Sequence, residues 1–302
     1  MKTILVPVDL TAAAEHTVVY ANKLAVHLGA EVVLLYSHHG PTLTEPEAAA
    51  YGKRLAALAE RLRYVQLVRQ DGRRICYRYA VRAGCLHDHV QSVVEEYAAE
   101  LLIMNLEHTD CGEPATNGNH AVRIAELASC PVLVVPPGVR QLPSRMAFLA
   151  NFSGSDFAAL RVVGELARSL AAHLQLVHFY HRMELTTLIS TKKNMRLIQE
   201  HLPDVRSDAR LLRDDDALEA IGEFCAQQRT QLLVFAPTDA AALRRFFDVS
   251  YTKTQAYHTR IPVLVLRPTE CSAAATCCEQ CARQEELRPV AALPDYRSIR
   301  WA

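Results

Sequence analysis

The sequence predicts an α/β protein of two similar five-stranded parallel-sheet units with helices on both sheet faces. Three observations carry this. A short apolar run bounded by prolines occurs twice, as Pro131-Val132-Leu133-Val134-Val135-Pro136 and as Pro262-Val263-Leu264-Val265-Leu266-Arg267-Pro268. Such a run, rich in Val and Leu, reads as a strand buried on both faces. Strand-like and helix-like segments alternate along the chain, which demands right-handed crossovers and helices on both sheet faces. The two copies also keep register: Asn105 pairs with Ala236, Asn119 with Ser250 and Pro131 with Pro262 at constant spacing. A fixed offset over that length indicates an internal duplication.

Each element has a local reason. In the first half, Ile4 to Val8 is an apolar strand ending at Asp9. Thr11 can cap a helix carrying Ala14, Val18, Ala21, Leu24 and Leu28, and Gly29 ends it. Val32 to Tyr36 is a strand, Pro46 to Leu62 an amphipathic helix, and Ile75 to Ala83 an alternating strand. Leu86 to Ala99 is helical and Leu101 to Asn105 is a buried strand. A polar loop, the helix His120 to Leu127 and the Pro131 strand close this half. The second half predicts strands at Phe148–Asn151, Leu174–Phe179, Ser207–Leu212, Gln231–Ala236 and after Pro262. Its helices fall in the segment after Ser153 or Ser155, then at Glu184–His201, Ala217–Gln228 and Phe246–Tyr257. Arg140 to Ser144, holding Pro143, is the linker. The expected domains are 1–140 and 145–268, with a tail over 269–302.

Composition bounds the function. Half of the 302 residues are apolar and 22% are charged, an ordinary globular balance. Lys plus Arg (33) equals Asp plus Glu (33), so no global basic field favours nucleic acid or an anionic membrane. No apolar run suits a bilayer span or a signal peptide, which leads us to expect a cytoplasmic protein. Five of the nine cysteines are scattered and four crowd the tail, which is no secreted disulfide framework.

The strand ending Val6-Pro7-Val8-Asp9, the strand Leu101-Leu102-Ile103-Met104 and the Pro-Val-Leu that closes each half resemble a tandem universal stress protein, over about residues 1–268. The resemblance implies α/β sandwiches related to the adenine-nucleotide α-hydrolase group and to each other by a pseudo-twofold, paired through their last strands, here within one chain. It also implies a stress-response binding role without catalysis. ATP-binding members carry G-x2-G-x9-G-S/T after the fourth strand. Those glycines let backbone N–H groups approach phosphate oxygens. The matching positions here are Asn105, His108, Gly118 and Asn119 in the first half, and Ala236, Asp239, Val249 and Ser250 in the second. One glycine of three survives in the first half and none in the second. The first-strand carboxylate that faces nucleotide in binding members is Asp9, replaced by Asn151 in the second half. Asp239 would set a carboxylate where phosphates should lie. A possible degenerate site for ATP therefore comprises Asp9, Asn105, His108, Gly118 and Asn119.

The remaining candidates have plainer readings. His87-Asp88-His89 resembles part of a metal site, but neighbouring side chains on a helix start point apart. His38-His39 and His178 lie at strand C-terminal ends, where open sheets bind ligands, yet loop or core histidines are common there. Asp214-Asp215-Asp216 reads as a helix cap, and Arg73-Arg74, Lys192-Lys193 and Arg244-Arg245 as solvated pairs. In the tail, Cys271, Cys277, Cys278 and Cys281 could complete a tetrahedral zinc site or sense oxidants as thiols. Expected partners are an unidentified protein and a second copy of the chain, with no nucleic acid and no membrane.

Overall fold

The computed structural model describes residues 2–67, 75–110, 119–150, 152, 157–181, 187–248 and 260–266. The first half runs β1 (Thr3–Pro7), α1 (Ala12–Leu28), β2 (Glu31–His38), α2 (Glu45–Leu67), β3 (Tyr77–Ala83), α3 (Leu86–Glu96), β4 (Leu101–Asn105), α4 (Asn119–Leu127) and β5 (Val132–Val135). The second runs β6 (Arg145–Leu149), α5 (Phe157–Ser169), β7 (His173–Tyr180), α6 (Leu188–His201), β8 (Ser207–Arg213), α7 (Ala217–Gln228), β9 (Leu232–Phe235), α8 (Ala240–Phe247) and β10 (Val263–Val265).

All ten strands join one sheet, in the order β3-β2-β1-β4-β5-β10-β9-β6-β7-β8. Read outward from the middle, both halves follow one order. Every pairing is parallel except the central one, where β10 meets β5 antiparallel with Val263 opposite Val134, Leu264 opposite Leu133 and Val265 opposite Val132. A parallel sheet buried on both faces needs apolar residues at successive positions, and β1, β4, β5 and β10 supply them. Alternate side chains feed two cores. Ile4 and Val6 belong to a core that also holds residues of α1, α2, α5 and α6, and Leu5 to one that holds residues of α3, α4, α7 and α8.

The helix ends follow their sequences. Thr11 caps α1 by accepting from the Ala14 N–H, and Gly29 ends it at φ 64°. Asp216 caps α7 by accepting from the Leu218 and Glu219 N–H groups. Among the described residues the second half holds a helix that the sequence reading did not predict, Ala240–Phe247, which Asp239 caps by accepting from the Ala242 N–H at 2.7 Å. Asp239 is thus occupied with a helix start, a role its expected place near phosphates did not foresee. The expected segment beyond Asp248 lies outside the described residues, as do Gly118, Asn151, Val249, Ser250, the Arg73-Arg74 pair and the cysteine tail.

The arginine pair Arg244-Arg245 is also not simply solvated. Arg244 bonds the Glu126 carboxylate of α4 at 2.9 Å, joining the two halves across the sheet centre, and Arg245 bonds Asp216. Burial raises the Glu126 pKa and the two arginines beside it, Arg244 and Arg123, oppose that rise. Spacing alone could not show this, because the partner is over a hundred residues away. Among the described residues no helix is long and apolar enough to cross a membrane.

Candidate functional site

The C-terminal ends of β1, β2 and β4 converge in the first half, at the edge where open α/β sheets place ligands. Just past β1, the Asp9 side chain is only 4% exposed. Its Oδ1 accepts from the Thr11 N–H at 3.0 Å and the Thr11 hydroxyl at 2.7 Å, and its Oδ2 accepts from the Thr109 N–H at 3.0 Å. Leu10 between them holds a left-handed backbone at φ 57°, a conformation that costs a residue with a side chain free energy. The Asp9–Thr11 bonds hold that turn. Burial would raise the Asp9 pKa, but the Thr109 and Thr11 donors outweigh it and hold it below the usual carboxylate range.

His108 and Asn105 complete the cluster. Asn105, buried at the end of β4, accepts from the Glu107 N–H through Oδ1 at 3.2 Å, and this side-chain bond shapes the turn that follows. That turn drives His108 inward. Its side chain is 4% exposed, and Nδ1 stands 4.0 Å from Asp9 Oδ2. This is too long for a hydrogen bond, and Nδ1 has no hydrogen-bond partner among the described residues. Burial pushes the His108 pKa down and the Asp9 carboxylate works against that shift. An imidazole therefore fills the position where the ATP-binding pattern requires glycine. Asn119 is the first residue of α4. Of the five sequence-predicted residues, Asp9, Asn105 and His108 come together.

Beside them stands an aromatic wall that the sequence did not reveal. Tyr36 of β2 stacks on Tyr51 of α2 with ring centroids 4.4 Å apart, His38 lies 5.4 Å from Tyr51, and the Arg54 guanidinium sits 5.5 Å over the Tyr51 ring. Burial and the Tyr51 hydroxyl push the Tyr36 pKa up to about 12. Tyr51 could not have been found from helical spacing, since its importance depends on which strand α2 covers. Asp110 was also missed. It is 3% exposed, accepts from the Leu86 N–H at 2.8 Å and faces His87 Nδ1 at 3.2 Å. Burial alone would raise it, but these hydrogen bonds bring it down to about 2.

His89 Nε2 meets the Ser37 hydroxyl at 3.0 Å. Burial lowers its pKa to about 4. His87 and Asp88 do not point apart as expected, and His87 Nε2 stands 3.6 Å from Asp88 Oδ1. In the second half, His178 is a core histidine with Nδ1 3.3 Å from the Ala150 carbonyl oxygen.

Residues 1–136 match the model of the Universal stress protein family. The first half of the chain thus carries a universal stress protein domain. Among solved structures, the whole chain resembles a universal stress protein from Archaeoglobus fulgidus DSM 4304, with TM-score 0.60, 13% identity and coverage of 88% of this chain and 96% of that one. It also resembles a functionally unknown protein from Pseudomonas aeruginosa PAO1, with TM-score 0.59, 16% identity and coverage of 95% and 96%. The cytoplasmic domain of a prokaryotic cation chloride cotransporter follows, with TM-score 0.51, 11% identity and coverage of 88% and 95%. At these identities the likeness is one of fold. No curated protein matches the chain.

Proposed function

We propose that this chain is a non-catalytic regulatory binding protein of the universal stress type, acting in the cytoplasm, whose first-half nucleotide cleft is closed by its own side chains. One observation carries the reading. The Asp9 carboxylate is already held by Thr11 and Thr109, with His108 buried against it. A nucleotide would have to displace a buried imidazole and compete with three formed hydrogen bonds. The sequence offers no Walker loop and no G-x-G-x-x-G that could supply another phosphate site. Regulation then runs through a protein partner or a second copy of the chain, with the cysteine tail as a further candidate for thiol or zinc sensing.

A second reading rests on the aromatic wall. Tyr36, Tyr51 and Arg54 beside Asp9 offer a ring surface and a cation, which suit an adenine nucleotide such as ATP in the first half alone. The thermal midpoint with and without Mg-ATP separates the two, since a ligand that binds only the native state raises it. The closed-cleft reading expects no shift at millimolar ATP. A rise that disappears in Asp9→Ala would establish the nucleotide sensor instead.

A further inference from the structure

A cavity of about 310 Å³ opens beside the edge strand β8, on the sheet face that α7 covers. Strand and helix periodicity build it. Phe179 of β7 stands in register with Leu212 of β8, and Arg210 shares the Leu212 face because side chains alternate along a strand. From α7 come Ala220, Glu223, Phe224 and Gln227, at the i, i+3, i+4, i+7 spacing of one helix stripe. Phe179, Leu212 and Phe224 give the cavity an apolar floor. The first half fills the corresponding place. His89 follows the N-cap of α3 by four residues as Ala220 follows that of α7, and Ser37 is the penultimate residue of β2 as Phe179 is of β7. There the imidazole and the Ser37 hydroxyl meet at 3.0 Å. In the second half an alanine stands for the imidazole, and the space is open.

The charges around the cavity decide what it takes. Arg210 and Arg213 balance Asp214 and Glu223, so a lone anion or a lone cation meets a like charge as well as an opposite one. Arg210 and Glu223 both line the cavity, yet no ion pair joins them among the described residues. Arg210 Nε donates to Asp208 at 2.8 Å, and Glu223 accepts from the Gln227 side-chain amide at 3.1 Å. The Nη groups of Arg210 keep their donors, and the Glu223 carboxylate keeps acceptor sites. We propose that this cavity binds a free α-amino acid with an apolar side chain. The carboxylate of that amino acid accepts from the Arg210 Nη–H groups, which suit a planar carboxylate. Its ammonium donates to the Glu223 carboxylate, and its side chain lies on Phe179, Leu212 and Phe224. A residue inside a peptide carries neither charge, so the site distinguishes the free amino acid. It lies in the second half, and does not depend on whether the first-half cleft takes nucleotide.

The test is calorimetric titration of the full chain with L-leucine and, separately, with L-phenylalanine, each to about 10 mM. The expected result is a Kd of about 1 mM or tighter for at least one of them, within reach of a ligand this small. The N-acetyl form of the amino acid that binds lacks the ammonium and its amide form lacks the carboxylate; each is expected to bind roughly tenfold more weakly or worse. Arg210→Gln and Glu223→Gln are expected to weaken binding by a similar factor, and both side chains are exposed, so the core is left intact. Ala220→His places in the cavity the imidazole that the first half carries, and is expected to abolish binding. Thermal midpoints without amino acid show whether that variant is folded, and the two exposed positions decide the matter if it is not. No binding of either amino acid at about 10 mM overturns the proposal. So does binding unchanged in Arg210→Gln or in Glu223→Gln, or an N-acetyl form that binds as tightly as the free amino acid.

Discussion

The two halves share a strand order but not a chemistry. In the first half, Asp9, His108, Asp110, His87 and His89 gather at the strand ends, mostly buried and mutually bonded or facing. In the second half, the residue in register with His108 is Asp239, and it caps a helix. His178 faces a backbone carbonyl. The difference teaches that packing and chemistry are separable in two halves that share a strand order. Both halves keep the apolar strands that fill the sheet, because any loss there leaves a cavity. Among the described residues the first half alone gathers several buried titratable groups at its strand ends, and His108 Nδ1 stands there without a hydrogen-bond partner.

Mutations sharpen the contrast. The largest effect is expected from Asp110→Ala, which strands the Leu86 N–H and His87 in a buried site. A loss of about 3 kcal/mol is expected from denaturant titration. Asp239→Ala, its second-half counterpoint, removes a partly buried helix cap and is expected at the other end of the scale, about 1 kcal/mol. Equal losses would mean that the first-half cluster is no more deeply built than a cap.

Acid sensitivity is next. The folded protein holds His89 at about 4, against roughly 6.5 unfolded. The unfolded chain therefore binds the extra proton, and stability falls as pH drops from about 6.5 to about 4, by about 2–3 kcal/mol. Burial sets this shift, opposed by Asp110 and Asp88 and aided by Arg82 and His87. Asp110, held at about 2, adds stability above about 4 that is lost only as pH falls towards 2. His89→Gln should flatten the first window and leave the second. A slope that survives in His89→Gln would assign it to another group.

Arg244→Ala tests the seam between the halves. It leaves the buried Glu126 carboxylate without its 2.9 Å partner, and about 2 kcal/mol is expected, discounted because Arg244 is partly exposed. Loss in both halves together would show that the seam couples them. A loss below a few tenths would show that the β5–β10 pairing alone holds them.

The fold was largely legible in the sequence because it is written in periodicity. Pro-bounded apolar runs fixed β5 and β10 to within a residue or two, and Leu101–Asn105 and Ala217–Gln228 match their elements. The helix Ala240–Phe247 was missed, because its start depends on a single cap at Asp239. The site was only half legible. Asn105 and His108 could be mapped from the spacing of the motif that the resemblance supplied, and Asp9 from its place at the end of the first strand. Tyr51, Arg54 and Asp110 could not, since only the crossover of α2 and the folding back of the loop after β4 bring them to the strand ends. His87 and Asp88 were expected to diverge, and a carboxylate from another element turned the imidazole between them.

The central claim is that His108 closes the first-half cleft, and the most direct test is calorimetric titration of Mg-ATP into the wild type and His108→Gly side by side. Closure predicts no measurable heat from the wild type at millimolar ATP and binding in His108→Gly, where glycine opens the space and lets the backbone approach phosphate. Binding by the wild type as tight as that of His108→Gly, or tighter, would contradict it and return the cleft to the nucleotide.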